Sequence, residues 1–307
     1  MKKLMVLAVV CIVMSLLQAG VAQTKGVGQS GYVYGLGAEG LYAPSLPGPG
    51  FYIKDYNFYQ ASTTLKNSDG KDIPVGLNVG TFAVLPRFIY IPQKTFWGKS
   101  NFLLSLTTGA TNIDLRETAV DYRAKGTHLI DPIVSVALGW HGKNYDLIAG
   151  SDNHIPVGAV GAAKPGNDEW TVIPSVGVTY YFDKKRKTNA YVLPRYEIHS
   201  AKRHSDVRMG DDFHVEFGAA HSVNPRMQIG PVGYAEWKVT QDSGKDITWD
   251  RTVKNHVVGL GPEVIMLLPS GLIVQMRGIA EFGAHGQVQS NSVHLDFTKK
   301  INVDAKK

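Results

Sequence analysis

Met227-Gln228-Ile229-Gly230-Pro231-Val232-Gly233-Tyr234-Ala235-Glu236-Trp237-Lys238-Val239 is the stretch whose reading decides the fold. Met227, Ile229, Ala235, Trp237 and Val239 share one parity with Pro231 and Gly233, while Gln228, Tyr234, Glu236 and Lys238 share the other with Gly230 and Val232. A strand turns alternate side chains to opposite faces, whereas a helix would scatter both sets around its circumference. The stretch is therefore a two-faced strand, and its 13 residues exceed the usual strand of about 5–6 residues in a soluble sheet.

The same alternation recurs along the chain. Phe213-His214-Val215-Glu216-Phe217 shows it, as do Val172, Pro174, Val176, Val178, Tyr180 and Phe182 on one face of a further run. Val192, Pro194, Tyr196 and Ile198 stand opposite Arg195, Glu197 and His199, and Val293, Leu295 and Phe297 stand opposite His294, Asp296 and Thr298. Turn-forming clusters such as Asn67-Ser68-Asp69-Gly70, Lys164 to Asp168, Asp183 to Asn189, Gln241 to Gly244 and Pro269-Ser270-Gly271 separate these runs. About 12 strands are expected by this alternation, over 51–61, 77–91, 96–108, 128–140, 145–155, 170–183, 189–199, 212–223, 226–240, 254–268, 272–283 and 289–299. No convincing amphipathic helix interrupts them.

Two Lys at positions 2 and 3, an apolar run from Leu4 to Leu17 and small residues at Ala19 to Ala22 give the three-part order of a cleavable signal peptide over 1–22. The apolar run is too short to span a bilayer as a helix, which takes about 20 residues. Cys11, the only cysteine, falls inside that signal, so the exported part carries neither disulfides nor thiolate metal ligands. Hydrophobic residues make up 44% and charged residues 19% of the 307, which excludes a disordered chain, and 33 glycines argue against a helical bundle. The formal charge is +6, falling to +4 once Lys2 and Lys3 leave. That is no nucleic-acid footprint, and Lys184-Lys185-Arg186-Lys187 reads as a solvated turn.

Long two-faced strands with no helix to cover an edge aggregate unless the sheet closes on itself. Aromatics near strand ends (Tyr52, Tyr56, Phe96, Trp97, Trp140, Trp170, Tyr180, Tyr181, Phe182 and Trp237) agree with the girdles of a membrane barrel. Against this stand Pro86, Pro132, Pro174, Pro194, Pro231 and Pro262, each of which removes a ladder donor that water cannot replace at membrane depth. They mark strand ends or bulges, or displace the strand boundaries by several residues.

Leu46-Pro47-Gly48-Pro49-Gly50-Phe51-Tyr52-Ile53-Lys54-Asp55-Tyr56-Asn57 resembles the opening signature of the family named for the meta-pathway of phenol degradation. Further similar segments follow in order: Arg87-Phe88-Ile89-Tyr90, Asp131-Pro132, Gly139-Trp140-His141, Ile155-Pro156-Val157-Gly158, Trp170 to Ser175, Thr179 to Phe182, Gly210 to His214, Gly230 to Tyr234 and Leu260-Gly261-Pro262. The in-strand prolines belong to that pattern. The resemblance implies a Gram-negative outer-membrane β-barrel, placed by analogy near channels for hydrophobic and aromatic compounds. His199-Ser200-Ala201-Lys202-Arg203-His204 departs from it by being more basic than the Asn/Thr-rich segment expected there, and the chain continues past Phe297 through Lys299, Ile301 and Val303.

No nucleophile elbow, zinc-protease helix or phosphate loop is present, and Gly35-Leu36-Gly37-Ala38-Glu39-Gly40 lacks the βαβ context of a dinucleotide fingerprint. His141, His199 and His214 stand beside no nucleophile, and His199, His204, His214 and His221 follow no metal-ligand spacing. Neither a catalytic residue nor a metal nor a cofactor is expected. If the apolar faces meet lipid, the inward set comprises Arg87, Arg195, Glu197, His214, Glu216, Tyr234, Glu236, Lys238, Arg277, Glu281, His294 and Asp296, able either to pair across the lumen or to line a wet channel.

The reading is an all-β protein: an antiparallel up-and-down transmembrane β-barrel over 50–303, preceded by the signal peptide and by a Gly/Pro-rich segment over 23–49 that serves as lead-in or plug. It is expected in the outer membrane, in contact with its lipids and the barrel-assembly machinery and not with nucleic acid. Its expected role is passive uptake of small hydrophobic or aromatic solutes. The alternatives are a structural or lipid-interacting barrel with a filled lumen, and a secreted soluble β-sandwich or lipocalin-like carrier.

Overall fold

The computed structural model describes Gly26 and residues 28–301, so the expected signal peptide and Val303 lie outside the described residues. The strands in chain order are β1 (Gly50–Lys66), β2 (Asp72–Ile73), β3 (Leu77–Ile91), β4 (Asn101–Thr107), β5 (Ala110–Glu117), β6 (Tyr122–Leu129), β7 (Ile133–His141), β8 (Tyr145–His154), β9 (Thr171–Tyr181), β10 (Thr188–His199), β11 (Asp212–Asn224), β12 (Met227–Lys238), β13 (His256–Leu267), β14 (Leu272–His285) and β15 (Val288–Ile301). Antiparallel neighbours run from β7 round to β15, β15 pairs with β1, and β1 pairs with β3, which returns to β7 through β4. Twelve strands thus close a ring: β1, β3, β4 and β7 to β15.

The hairpin β5–β6 lies outside the expected strand limits except for His128 and Leu129 at the end of β6. β4 and β5 pair with β3 in one unbroken register, Arg87 opposite Thr107 and Val84 opposite Ala110, so they are one strand interrupted at Thr108-Gly109. Likewise β6 continues into β7 across Ile130-Asp131-Pro132. Asn112, Asp114, Arg116, Arg123, Lys125 and Thr127 share the outward face of this hairpin, a polar surface that projects it beyond the lipid-facing band. Its end of the barrel also carries the long connections 155–170, 200–211 and 239–255, against 92–100, 142–144, 182–187, 225–226 and 268–271 at the other. In outer-membrane barrels the long loops are extracellular, so both ends of the described chain's barrel wall open to the periplasm.

Burial is inverted relative to a soluble protein. Asp212, His214, Glu197, Glu236 and Asp296 are all 0% exposed, whereas Phe82, Phe88, Leu104, Val176, Phe182, Phe282 and Val293 lie open on the outside. Buried charge and exposed large apolar side chains are the two informative departures from the soluble pattern. Together they put the apolar strand faces in lipid. Exposed Tyr90, Phe96, Trp97, Tyr145, Tyr180 and Phe182 ring the periplasmic end, and Tyr59, Phe82, Trp170, Trp237 and Phe282 the outer end. Tyr52, Tyr56 and Tyr181 correct the expected girdle. They share the inward parity of Lys54 and Thr179, and Tyr56 and Tyr181 bond Glu39 and Asp146 inside the barrel.

Each in-strand proline falls where the ladder lapses. Pro86 sits beside the Thr108-Gly109 interruption, and Pro132 forms the β6–β7 junction. Pairing of β10 with β9 is broken around Pro194 and Pro174, that of β11 with β12 at Pro231, and that of β13 with β14 at Pro262. The missing donors are thus confined to positions where no ladder bond is made. The basic turn between β9 and β10 has its own device: Asp183 accepts the N–H groups of Thr188, Lys187 and Lys185, and these bonds lower its pKa from the usual aspartate range.

At one lapse the strands approach closely. A Cβ at Gly261 would lie 1.7 Å from Gly278 O, while a Cβ at Gly278 would meet nothing nearer than 3.9 Å. Gly261→Ala therefore destabilises the barrel by at least about 1–3 kcal/mol, the usual cost of overpacking, and Gly278→Ala does not. The temperature at which each variant changes electrophoretic mobility measures the difference.

Candidate functional site

The lumen is occupied by the chain's own N-terminal segment. Gly26 O accepts the N–H of Ser68 at the outer end, Gln29 O accepts Lys238 Nζ at 2.6 Å, and the Val33 and Tyr34 N–H groups reach Glu197 at 2.9 and 3.0 Å. Further down, Gly37 N–H meets Glu216 at 2.9 Å, Leu41 N–H meets Glu263 at 2.8 Å, and Ser45 Oγ donates to Asp146 at 3.0 Å. Pro49 O, at the periplasmic end, accepts Lys300 Nζ. Apart from a 3-10 turn at Gly40–Tyr42, this irregular Gly/Pro-rich segment has no helix or sheet partners for its N–H groups, and here the carboxylates of the wall serve as acceptors.

Midway down, Glu39 forms the tightest knot. Its carboxylate takes Arg87 Nη1 at 2.6 Å, Lys54 Nζ at 3.2 Å and Tyr56 Oη at 3.1 Å, and Arg87 Nε donates to Ser105 Oγ at 2.9 Å. Beside it Arg195 pairs with Asp152 at 2.7 Å and lies 4.1 Å over the Tyr34 ring. On the opposite wall Arg277 pairs with Asp296 at 2.7 Å and Glu263 at 3.4 Å, and donates to Ala38 O at 2.6 Å.

Two cavities flank the Glu39 knot. One, of about 290 Å³, lies toward the periplasm among Leu46, Ile89, Leu103, Ala137, Ile148 and Leu193. The other, of about 220 Å³, lies toward the outside among Val33, Phe58, Leu85, Ile130 and Ile133. Glu39, Arg87, Ser135 and Asp152 line both. A charged waist thus separates two largely apolar chambers.

Arg87, Arg195, Glu197, His214, Glu216, Tyr234, Glu236, Arg277 and Glu281 all lie on the inner face. Arg87, Glu197, Glu216 and Arg277 bond the N-terminal segment directly; Tyr34 stacks on His214 with ring centroids 5.0 Å apart. Tyr234 Oη donates to Glu281 at 2.7 Å, and Glu236 accepts Gln287 at 2.9 Å. Lys238, His294 and Asp296 are inward as well. Sequence reading missed Glu39, Lys54, Tyr56, Asp152 and Glu263. The parity of Lys54 and Tyr56 with Tyr52 in β1 was the available signal for two of them. Glu39 had none, because irregular backbone carries no period.

Two contacts look catalytic in outline and are not in detail. His294 Nε2 lies 3.1 Å from Ser292 Oγ, but Arg277, a pure donor, occupies His294 Nδ1 at 3.3 Å. Nδ1 is then the acceptor and Nε2 carries the hydrogen, so this imidazole cannot take a proton from Ser292. Thr171 and His199 are both buried, with Glu169 and Asp212 claiming the imidazole nitrogens.

Residues 62–297 match the family described as "Putative MetA-pathway of phenol degradation". The chain belongs to that family. The COG4313 outer membrane channel from Pseudomonas putida F1 is similar in structure, with a TM-score of 0.76 at 11% identity, over 85% of this chain and 98% of that one. The transport unit of the autotransporter AIDA-I from Escherichia coli is similar at a TM-score of 0.50 and 12% identity, over 87% of this chain and 95% of that one. No curated protein sequence matches the chain. At such identities the likeness is one of fold, and with the inverted burial it makes this family member a Gram-negative outer-membrane barrel.

Glu39→Gln leaves Arg87 and Lys54 buried without their counter-charge, a change that costs about 3–5 kcal/mol when a buried pair is broken. The cost falls on the seating of the N-terminal segment. With Ala43→Cys as a unique thiol in the mature chain, maleimide labelling of the folded barrel accelerates when Glu39→Gln is added, and heat-dependent mobility still reports a closed barrel.

Proposed function

We propose that this barrel passes small hydrophobic compounds, single aromatic rings among them, across the outer membrane by diffusion, with residues 28–49 acting as a plug that sets the size of the route. The observation that carries this reading is the pair of apolar chambers meeting at Glu39 and Arg87. An apolar cavity of about 150 Å³ holds benzene, and the chambers measure about 290 and 220 Å³. Each therefore accommodates a single-ring solute, while the charged waist between them opposes continuous flow. The Pseudomonas protein is named as an outer membrane channel and the family's description names phenol degradation, and passage of single-ring compounds fits both.

No residue of the barrel is assigned a catalytic role in this reading, and no cofactor enters it. Lipids of the outer membrane contact the apolar exterior, the assembly machinery inserts the chain, and no nucleic acid takes part.

The density of bonds between residues 33–45 and the wall favours one second reading, a barrel whose lumen is filled for structural reasons and which moves nothing. Deleting residues 28–45 separates the two. In liposomes loaded with a quencher or enzyme reporter, the deleted barrel admits phenol-sized solutes at least about 10-fold faster than protein-free vesicles, a factor equal to about 1.4 kcal/mol of barrier, and the intact barrel admits them more slowly than the deleted one. Equal, background flux through both would leave only the structural reading.

A further inference from the structure

At the outer end of the lumen six titratable side chains converge from four strands or their edges: Glu169, Glu197, His199, Asp212, His214 and Glu236, each no more than 2% exposed. His199 Nε2 lies 3.2 Å from Asp212 Oδ2 and 3.7 Å from Glu197 Oε2, and the ligand atoms of these three residues all fall within 4.8 Å of one another. Four ligands held at about 2.0–2.1 Å from a tetrahedral zinc ion stand about 3.4 Å apart. The observed spacings bracket that edge.

Apart from the imidazoles of His199 and His214, the cluster is short of positive charge. Lys238 is spent on Asp242 at 2.8 Å and Gln29 O, and Lys202 lies 3.5 Å from Glu169 at the rim. Asp212 Oδ1 and Glu236 Oε1, on the neighbouring strands β11 and β12, are both buried with no donor. Buried carboxylate oxygens without a donor call for a proton or a metal cation beside them. An imidazole nitrogen among carboxylates selects a transition metal of the zinc type over calcium or magnesium.

We propose that Glu197, His199 and Asp212 form a three-ligand binding site for a divalent transition-metal ion such as zinc, its fourth position left to solvent. Binding replaces the hydrogen bond between His199 Nε2 and Asp212 with two metal bonds, the imidazole giving up any Nε2 proton to solvent. The site abuts the plug: Glu197 also accepts the Val33 and Tyr34 N–H groups, and a Cβ on Gly31 would lie 3.2 Å from Asp212 Oδ2. A bound ion thereby fixes the carboxylates that anchor residues 31–34. That regulatory consequence rests on the channel reading; the metal site does not.

The test loads chelator-stripped, folded barrel with zinc chloride, removes excess by gel filtration and counts zinc by mass spectrometry. A single zinc per chain is expected, bound about 10-fold or more weakly in His199→Ala and in Asp212→Asn, the scale on which altered metal sites lose affinity. Heat-dependent mobility establishes that each variant is closed, and the conservative Asp212→Asn guards against loss of packing. Zinc loading should raise the mobility-shift temperature of the intact protein and leave that of His199→Ala unchanged. Absence of retained zinc in the intact barrel, or equal retention by both variants, overturns the site and leaves protons beside the buried oxygens of Asp212 and Glu236. A barrel that retains zinc through His199 but moves no solute keeps the site and loses the channel reading.

Discussion

Everything in this structure depends on the closing seam, where β1 hydrogen-bonds to β15 on one edge and to β3 on the other. In lipid an unpaired N–H or C=O costs several kcal/mol, so a sheet can cross only if it has no edge. The seam runs from Phe51 opposite Ile301 to Leu65 opposite Val288, with one irregularity between Ser62 and Thr64. Once it closes, one face of every strand is committed to lipid and the other to a narrow interior. The polar side chains then have nowhere to go but inward, and they reach densities no soluble core would tolerate.

Those inward charges need partners, and the N-terminal segment supplies many of them. Twenty-odd residues of Gly/Pro-rich chain leave most backbone donors and acceptors free, since apart from one 3-10 turn at Gly40–Tyr42 they form neither helix nor sheet. Glu197, Glu216 and Glu263 accept three levels of these donors, and Arg277 and Lys238 donate to its carbonyls. Wall and segment satisfy each other. A barrel without the segment would hold unpaired buried carboxylates, and a segment without the barrel would be solvated coil.

The barrel was legible in the sequence because period-two alternation and a closed sheet are both read locally. Val172 to Phe182 and Met227 to Lys238 carry the alternation so cleanly that their outward and inward sets follow from parity alone. The hairpin β5–β6 was not legible, since its outward Asp114, Arg116, Arg123 and Lys125 give it no lipid-facing apolar set. The cluster around His199 was hidden for a different reason. Parity holds within a strand, but β10 pairs with β11 so that Arg195 faces His214 and Glu197 faces Asp212, which puts odd residues of one strand beside even residues of the next. Register across strands is set by turn length and bulges, and no spacing within a single strand reveals it. Glu39 lies beyond both kinds of reading, because its position depends on how an irregular segment threads a lumen that the other residues build.

The waist at Glu39 has a property that follows from its surroundings. Opposite charges about 4 Å apart attract by about 4 kcal/mol at an effective dielectric of 20 but only about 1 kcal/mol in bulk water. Glu39, Arg87 and Lys54 are held at 2.6 and 3.2 Å in a space walled by apolar chambers, so the knot is strong for as long as the chambers stay dry. Water entering either chamber raises the local dielectric and weakens the pairs that keep it out. On the channel reading, an apolar solute occupying a chamber excludes water and leaves the Glu39 pairs at full strength, whereas ions and water weaken them as they enter.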